Sequence, residues 1–177
     1  MKTETLQTRR KFQGVWDEID YLYIKILHWF YERGDRRKAL PYSDRLEALL
    51  EKTPDAHGAI FGEECWSLIC EVRGDLTAAI AYREREIELT KRLIRSAVNS
   101  PNRAYILQNR DYSDLSDRLD LLAILYHDAG DLGKAIQILK DSRRLCRRHK
   151  IPFDGEDLLC DYRAETVAEE KGQPISG

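Results

Sequence analysis

The sequence predicts an all-α fold, a right-handed array of antiparallel helical hairpins with about seven helices. Three glycine–aspartate steps carry this prediction, each of them preceded by an apolar run with helical spacing. An alanine follows each glycine five residues later. A turn followed by a helix that enters on a small residue is typical of stacked helical-hairpin repeats. The three steps and their alanines are Gly34-Asp35 with Ala39, Gly74-Asp75 with Ala79, and Gly130-Asp131 with Ala135.

Length and composition are those of one globular domain with a charged surface. The chain has 177 residues, of which 42% are hydrophobic and 34% charged, with a formal net charge of −2. This balance gives no global attraction to nucleic acid or to an anionic membrane. No stretch has the length and apolarity of a membrane-spanning helix, and residues 1–11 lack the apolar core of a secretory signal. We therefore expect a cytoplasmic protein without a membrane partner.

The first hairpin begins with a helix over about 13–31, in which apolar side chains recur at three- and four-residue steps. This stripe consists of Trp16, Ile19, Tyr23, Ile26, Leu27 and Phe30. Gly34 ends the helix, and Asp35 is a good N-cap for a second helix to about residue 51. Pro41 removes one intrahelical hydrogen bond, so we expect it to bend the second helix or delay its start.

The second hairpin follows a break at Thr53-Pro54, with Asp55 or His57-Gly58 opening its first helix. After Gly74-Asp75, the apolar spacing predicts a long helix of about 22 residues. Its mixed run at 83–86, Arg-Glu-Arg-Glu, is typical of a solvated helix face with i,i+4 ion pairs.

The third hairpin is preceded by an insertion at 99–111 that is either a short helical turn or an ordered loop. Ser113 or Asp114 is expected to cap its first helix, and its second helix runs to about His149. Asp154 then caps a last helix that covers the end of the array. The expected boundaries are an N-terminal extension at 1–13, a repeat domain at 14–150, a capping helix at 151–171 and a disordered tail at 172–177.

The motif resembles the tetratricopeptide repeat family over residues 14–150. The third unit matches the family pattern with Leu119, Leu122-Ala123, Tyr126, Gly130-Asp131, Ala135 and Leu139. The first two units keep the turn and the alanine, but they place Ser43 and Arg83 where a later bulky residue belongs. Their spacing also exceeds the common period of about 34 residues. The resemblance implies an α-solenoid that acts in protein–protein interaction.

In similar proteins the inner face of each first helix forms a groove for the partner. The matching positions are aromatic and apolar in the first unit and acidic in the third, which suggests a basic or amphipathic peptide ligand. Tyr21, Tyr31 and Phe61 are the expected anchors, and ordinary solvated helix positions are the alternative interpretation. The full set is Tyr21, Ile24, His28, Tyr31, Phe61, Glu64, Leu68, Glu71, Asp117, Asp120, Ile124 and His127.

One concentrated basic patch lies at the end of the sixth helix and consists of Arg143, Arg144, Arg147, Arg148 and Lys150. Cations at the negative end of a helix dipole are the favoured interpretation. A phosphate or nucleic-acid contact is the alternative. The overall charge is slightly negative and no stacking aromatics interleave the patch, so nucleic acid is the less favoured partner.

The chain contains no motif for catalysis, metal binding or nucleotide binding. Cys65 or Cys70 with His57 could in principle supply a nucleophile and a base, but the same holds for most thiols near a histidine. We therefore expect a non-catalytic adaptor or scaffold with no cofactor. The alternatives are a nucleic-acid-associated regulatory subunit that uses the basic patch, or a homo-oligomer that pairs through its first helix.

Overall fold

The computed structural model describes residues 12–53, 58–97, 100–101 and 111–170, and within these ranges all regular structure is helical. The predicted all-α class is therefore confirmed for the described part of the chain. Residues 1–11, 172–177, the caps at 55 and 57, and most of the 99–111 insertion lie outside the described residues. The helices are α1 (Val15–Leu27), α2 (Arg36–Lys52), α3 (Ala59–Arg73), α4 (Leu76–Ala97), α5 (Tyr112–Asp128), α6 (Leu132–His149) and α7 (Glu156–Glu170).

The chain divides into two compact units, unit 1 at residues 1–57 and unit 2 at residues 58–177. In unit 1, α1 packs against α2. In unit 2, each helix packs against the next one along the chain, from α3 through α7. Sequential neighbours joined by short turns form antiparallel helical pairs, which is the arrangement expected for each hairpin taken separately.

The glycine–aspartate steps form the turns that the sequence predicts. Gly34, Gly74 and Gly130 have φ values of 60°, 80° and 83°, a left-handed conformation that costs glycine little because it has no Cβ. The amides of Asp75 and Asp131 then reach back to close the turn, at 2.9 Å from Cys70 O and 2.8 Å from Tyr126 O. Each aspartate also caps the next helix: Asp35 Oδ1 accepts from Lys38 N, Asp75 Oδ1 from Ala78 N, and Asp131 Oδ1 from Lys134 N.

The alanine after each turn is fully buried. Ala39, Ala79 and Ala135 all have 0% exposure. In each case the alanine amide donates to the carbonyl of the capping aspartate, at 3.2, 2.9 and 3.0 Å. A small side chain at this point lets the second helix of a hairpin approach the first closely. Sequence and structure thus agree on the local geometry at all three turns.

Unit 2 has one continuous hydrophobic core that extends from α4 to α7. Its members include Ile87 on α4, Leu119 on α5, Leu139 on α6, and Leu159 with Tyr162 on α7. The capping helix α7 therefore contributes to the core, as the sequence predicts. In unit 1, α1 and α2 bury Ile19, Leu22, Ile26, Leu46, Leu49 and Leu50.

Three sequence expectations differ from the structure. Asp111 caps α5, because its Oδ1 accepts from the amides of Ser113 and Asp114; neither of those residues is the cap. Pro41 lies inside α2 without delaying its start, since the helix begins at Arg36 and its first free amides precede the proline. Trp16, assigned to the inward stripe of α1, is 46% exposed.

Candidate partner-binding surfaces

The exposed apolar side chains of the described residues concentrate on the first helix. Six large apolar side chains are exposed, and four of them lie on α1 and the π-helical turn His28–Glu32 that extends it. Soluble proteins usually scatter such residues singly, so four of them on one helix make this helix the candidate surface for interaction. The four are Val15, Trp16, Ile24 and Tyr31, and the other two are Leu121 and Val167.

The sequence-predicted partner residues of unit 1 fall on this exposed side. Tyr21, Ile24, His28 and Tyr31 follow one another at steps of three and four, so they form one face, which we call the α1 face. This face is turned away from Ile19, Leu22 and Ile26, which are buried. Ile24 is 61% exposed and Tyr31 is 45% exposed. All four predicted positions in this unit are therefore brought together on an accessible surface.

Local contacts hold the side chains of the α1 face in place. The Phe12 ring packs 5.5 Å from the Tyr21 ring, and Lys25 Nζ lies 5.6 Å from the same ring. His28 Nδ1 lies 2.7 Å from Glu32 Oε2. Aromatic side chains held by their neighbours lose little conformational entropy when a partner binds.

The widened turn at the end of α1 carries an aromatic sequence. Residues 28–32, His-Trp-Phe-Tyr-Glu, form a π-helical turn in which the amide of Arg33 donates to His28 O at 3.1 Å. Such turns are uncommon and occur frequently at functional sites. The aromatic residues of this turn are evident from the sequence. Its π-helical geometry was not predicted, because the sequence carried no recognisable signal for it.

The predicted partner residues on α3 are largely inaccessible. Leu68 is 1% exposed and Glu71 is 8% exposed, so both are buried in the folded chain. Glu64 is half-buried and its Oε2 lies 3.3 Å from Arg118 Nη1. Phe61 is half-buried. The face of α3 therefore offers much less surface than the resemblance implies.

Glu64 belongs to a buried network of charges that joins α3, α4 and α5. Arg118 donates two hydrogen bonds to the carboxylate of Asp114, both at 2.9 Å, and forms an ion pair with Glu86. Arg83 Nη1 donates to Glu86 Oε2 at 2.5 Å. Arg83 is 3% exposed and Glu86 0%. The charge run at 83–86 is thus not simply a solvated face, because two of its four members are buried and paired.

Helix α7 and the turn before it cover some of the predicted partner residues on α5. His127 stacks on Tyr162 with ring centroids 4.3 Å apart, and its Nε2 lies 2.9 Å from Glu165 Oε2. Asp120 is half-buried, and a Cβ at Gly155 would stand 2.9 Å from its Oδ2. Asp117 stays exposed and Ile124 is half-buried. The α5 positions therefore contact the end of the chain as well as solvent.

Three aspartates give this side of unit 2 a negative potential. Burial raises the pKa of Asp120 to about 6; the nearby hydroxyl of Ser142 opposes this shift, and the charges of Asp117 and Asp154 add to it. Burial also raises the pKa of Asp117, again with contributions from nearby carboxylates. Like charges gathered in a partly desolvated place favour the neutral form of each acid.

A cavity of about 400 Å³ opens between α4, α5 and α6. Its rim carries both acidic and basic side chains. Its floor is apolar and consists of Ile87, Leu115, Leu119, Leu122, Ile138 and Leu145. This cavity was not predicted from the sequence. The leucine spacing of α5 indicated a buried stripe, but the gap over it depends on how α4 and α6 pack around α5.

The basic patch lies on the outer side of α6. Arg144, Arg147, Arg148 and Lys150 are exposed, and Arg143 is half-exposed. Arg143, Arg144 and Arg147 line a shallow depression of about 310 Å³ together with Gln137 and Lys140. The structure therefore extends the predicted patch toward the middle of the helix.

Among the described residues, no group of three or more histidine, cysteine, aspartate or glutamate side chains is arranged to hold a metal ion. No described helix combines the length and apolarity needed to cross a membrane. Comparisons with family models, with curated proteins and with solved structures find no match to this chain.

Proposed function

We propose that this chain is a non-catalytic protein-interaction module, a small adaptor or scaffold built as a tetratricopeptide-like array of helical hairpins. The turn geometry supports the repeat interpretation, because all three glycine–aspartate steps combine a left-handed glycine, a capping aspartate and a fully buried alanine. We further propose that it works in the cytoplasm and uses no cofactor.

The concentration of exposed apolar side chains on α1 is the observation that carries this proposal. Ile24 and Tyr31 are the anchors, since they are the most exposed members of the α1 face. Truncating a well-placed aromatic or aliphatic anchor costs an interface about 1–2 kcal/mol, which is roughly a tenfold loss of affinity. A pair of anchors is thus enough to make binding depend on this face.

The surroundings of the α1 face favour a basic, amphipathic segment as the partner. Asp17 and Asp20 precede Ile24 on adjacent turns, and Glu32 follows Tyr31. An apolar strip with an acidic rim is complementary to a helix that carries apolar anchors flanked by lysine or arginine. Unit 2 adds a second acidic area at Asp117 and Asp120.

The test is affinity capture from native extract with three forms of the protein, in nuclease-treated and untreated arms. The forms are the natural chain, I24D/Y31S on the α1 face, and L121D/V167D, which changes exposed apolar side chains on α5 and α7. We expect nuclease-resistant partners that the control keeps and I24D/Y31S loses by at least about tenfold. Recovery of the same proteins with all three forms would exclude the α1 face as the binding surface.

Self-association through α1 is the second candidate, because the same exposed strip could pair with its copy about a two-fold axis. Sedimentation velocity distinguishes the two. A dimer formed by the natural chain and by L121D/V167D, but not by I24D/Y31S, would assign the face to a homodimer. If all three forms are monomers, self-association is excluded and the α1 face is assigned to a different protein partner.

A further inference from the structure

The outer face of α6 carries a continuous row of cations, which we call the basic face: Lys140, Arg143, Arg144, Arg147 and Arg148. Four of these side chains are exposed, and Arg143 is 38% exposed. The row belongs entirely to unit 2 and lies opposite the buried side of α6, where Ala135, Leu139 and Cys146 enter the core.

Most of this positive charge is not neutralised by the protein itself. Arg144 pairs with Asp141 on the same helix, and Arg143 pairs with Glu156 of α7 at 3.2 Å. Both pairs are solvent-exposed, so each is weak and easily exchanged for another anion. Within the described part of the chain, Lys140, Arg147 and Arg148 form no ion pair with a carboxylate.

The helix dipole accounts for only part of the row. Its stabilisation of cations is confined to the last turn of a helix, which in α6 contains Arg147 and Arg148. Lys140, Arg143 and Arg144 lie before that turn. The favoured interpretation from the sequence therefore does not explain why the row continues toward the middle of the helix.

The shape and chemistry of the basic face indicate the kind of partner. From Lys140 to Arg147 the helix rises about 10 Å, which equals about three steps of 3.4 Å along the axis of a duplex, the axial spacing of phosphates on one strand. The depression of about 310 Å³ is lined by four of the cations and by Gln137, with no apolar side chain among the described lining residues. A protein partner needs an apolar centre in its interface, whereas a phosphate backbone does not.

We propose that the basic face of α6 binds the phosphate backbone of double-stranded nucleic acid without reading its sequence. Arginine suits this role because its planar guanidinium donates two hydrogen bonds to one phosphate. No aromatic side chain lines the depression to stack on a base, and the His149 ring is already stacked on Tyr112 with centroids 3.4 Å apart. The contacts therefore go to phosphates and carry no base preference.

Binding by this face depends steeply on salt, because the net charge of the chain is −2 and all attraction is local. Each phosphate that a cation neutralises contributes about −0.9 to the slope of log K against log salt. A contact by three to five cations gives a slope of about −2.7 to −4.5. Two charge reversals within the row lower the steepness of that slope by about 2.

The experiment is fluorescence anisotropy with a labelled 20-base-pair DNA duplex and the full chain, from 30 to 200 mM salt. The test variant is R144E/R147E, and the control is R33E/R163E, which makes the same change in net charge at exposed arginines outside α6. The milder R144Q/R147Q removes charge without reversing it. Circular dichroism establishes that all variants keep their helix content.

We expect micromolar binding of the natural chain at low salt, a loss of at least about tenfold in R144E/R147E, and little change in the control beyond a small general effect. The affinity of R144Q/R147Q should lie between those of the natural chain and R144E/R147E. A second duplex of unrelated sequence should bind equally well. Unlabelled poly-glutamate should compete poorly at equal charge, and vesicles with anionic lipid should not bind.

Four results would overturn the proposal. The first is no binding to duplex at 30 mM salt, and the second is an equal loss in the test variant and the control. Competition by poly-glutamate as strong as by duplex would assign the basic face to an acidic polypeptide. Binding to anionic vesicles in place of duplex would assign it to a membrane surface.

Discussion

Two side chains of α5 respond to pH because the end of the chain packs over them. Asp120 lies beneath the turn that contains Gly155, and His127 stacks on Tyr162 of α7. The first is an acid that is partly desolvated and the second is a base with two acidic neighbours. Their environments shift both pKa values upward, so unit 2 should be more stable in mild acid than in mild base.

For Asp120 the raised pKa of about 6 means that folding favours the protonated carboxyl. Between the usual aspartate pKa of 3.8 and 6, the folded chain binds this proton more tightly than the unfolded chain, so stability falls as pH rises through that window. Above it the full penalty remains. After discounting for solvent screening, we expect D120N to stabilise the protein by about 1 kcal/mol at pH 7.5 and by much less at pH 4.5.

Urea unfolding at the two pH values measures this difference, and D161N is the matched control because Asp161 is an exposed aspartate of the same unit and is not among the charges that shift the pKa of Asp120. An equal gain for D120N at both pH values would mean that the carboxylate charge is not the cause. The sequence could not have indicated this site, since nothing in the spacing of α5 distinguishes Asp120 from Asp117 before the 151–155 turn is placed.

For His127, burial lowers the pKa, but the hydrogen bond and charge of Glu165 and the charge of Asp128 raise it above its usual value overall. The charged imidazole therefore helps to hold α7 on α5. This contribution is fully present below the unfolded pKa near 6.5 and is lost as pH rises through the folded value. We expect a difference of only a few tenths of a kcal/mol, because the ring is partly solvated.

Amide hydrogen exchange of α7 at pH 6 and pH 8, corrected for intrinsic rates, reports this effect. Protection of α7 should decrease at pH 8 in the natural chain and should depend less on pH in E165Q. If E165Q keeps the full pH dependence, the Glu165 contact does not hold the helix.

The helices of unit 2 are joined by charges as well as by apolar packing. Arg118 on α5 contacts Glu64 on α3 and Glu86 on α4, and it forms two hydrogen bonds with Asp114. A buried pair of this kind adds little over an apolar pair of the same shape, but removing one partner leaves the others uncompensated. The network therefore makes three helices sensitive to one side chain.

Replacing Arg118 by methionine keeps most of the side-chain length and removes the charge. It takes away the cation that Glu64, Glu86 and Asp114 share, and we expect R118M to destabilise the protein by about 3 kcal/mol in urea unfolding at pH 7. Adding D114N to R118M should cost at least about 1 kcal/mol less than D114N costs in the natural chain, because Arg118, which donates two hydrogen bonds to Asp114, is already gone. Strictly additive losses in the double variant would show that Arg118 and Asp114 are not coupled.

At this scale the sequence predicted the elements better than their faces. The glycine–aspartate steps located the three turns, the ends of α3 and α5 and the starts of α2, α4 and α6, because backbone conformation there is decided locally. Which side of α1 is buried depends on the partners available to it, and Trp16 remains 46% exposed despite its apolar spacing. Arg83 occupies a bulky position of the repeat pattern, and this was the one sequence signal that it is buried.

Whether a predicted binding residue is accessible depends on packing throughout the molecule, so the sequence could predict only part of the binding surface. The α1 face is accessible at all four expected positions, whereas Leu68 and Glu71 on α3 are buried. A repeat pattern transfers positions from one hairpin repeat to the next as though all repeats were equivalent. Here the buried charges and the packing of α7, both within unit 2, make the repeats different, and neither feature could be derived from helical spacing alone.

The division of the chain into two units predicts how it unfolds. The core that runs from α4 to α7 lies within residues 58–177, and so does the complete Arg118 network. A fragment of these 120 residues has the size of an independent domain, whereas a helical pair of fewer than 60 residues is marginal by itself. We therefore expect the 58–177 fragment to keep helical circular dichroism and a cooperative urea transition, and the 1–57 fragment to show neither.

The R118M substitution makes this test specific. Because Glu64, Glu86 and Asp114 all belong to unit 2 with Arg118, the loss of stability should be the same, about 3 kcal/mol, in the 58–177 fragment and in the corresponding transition of the full chain. The matched control is L46A, a core substitution on α2 that should lower the stability of unit 1 in the full chain. A fragment that unfolds without cooperativity, or that is insensitive to R118M, would show that unit 2 does not fold as a separate domain.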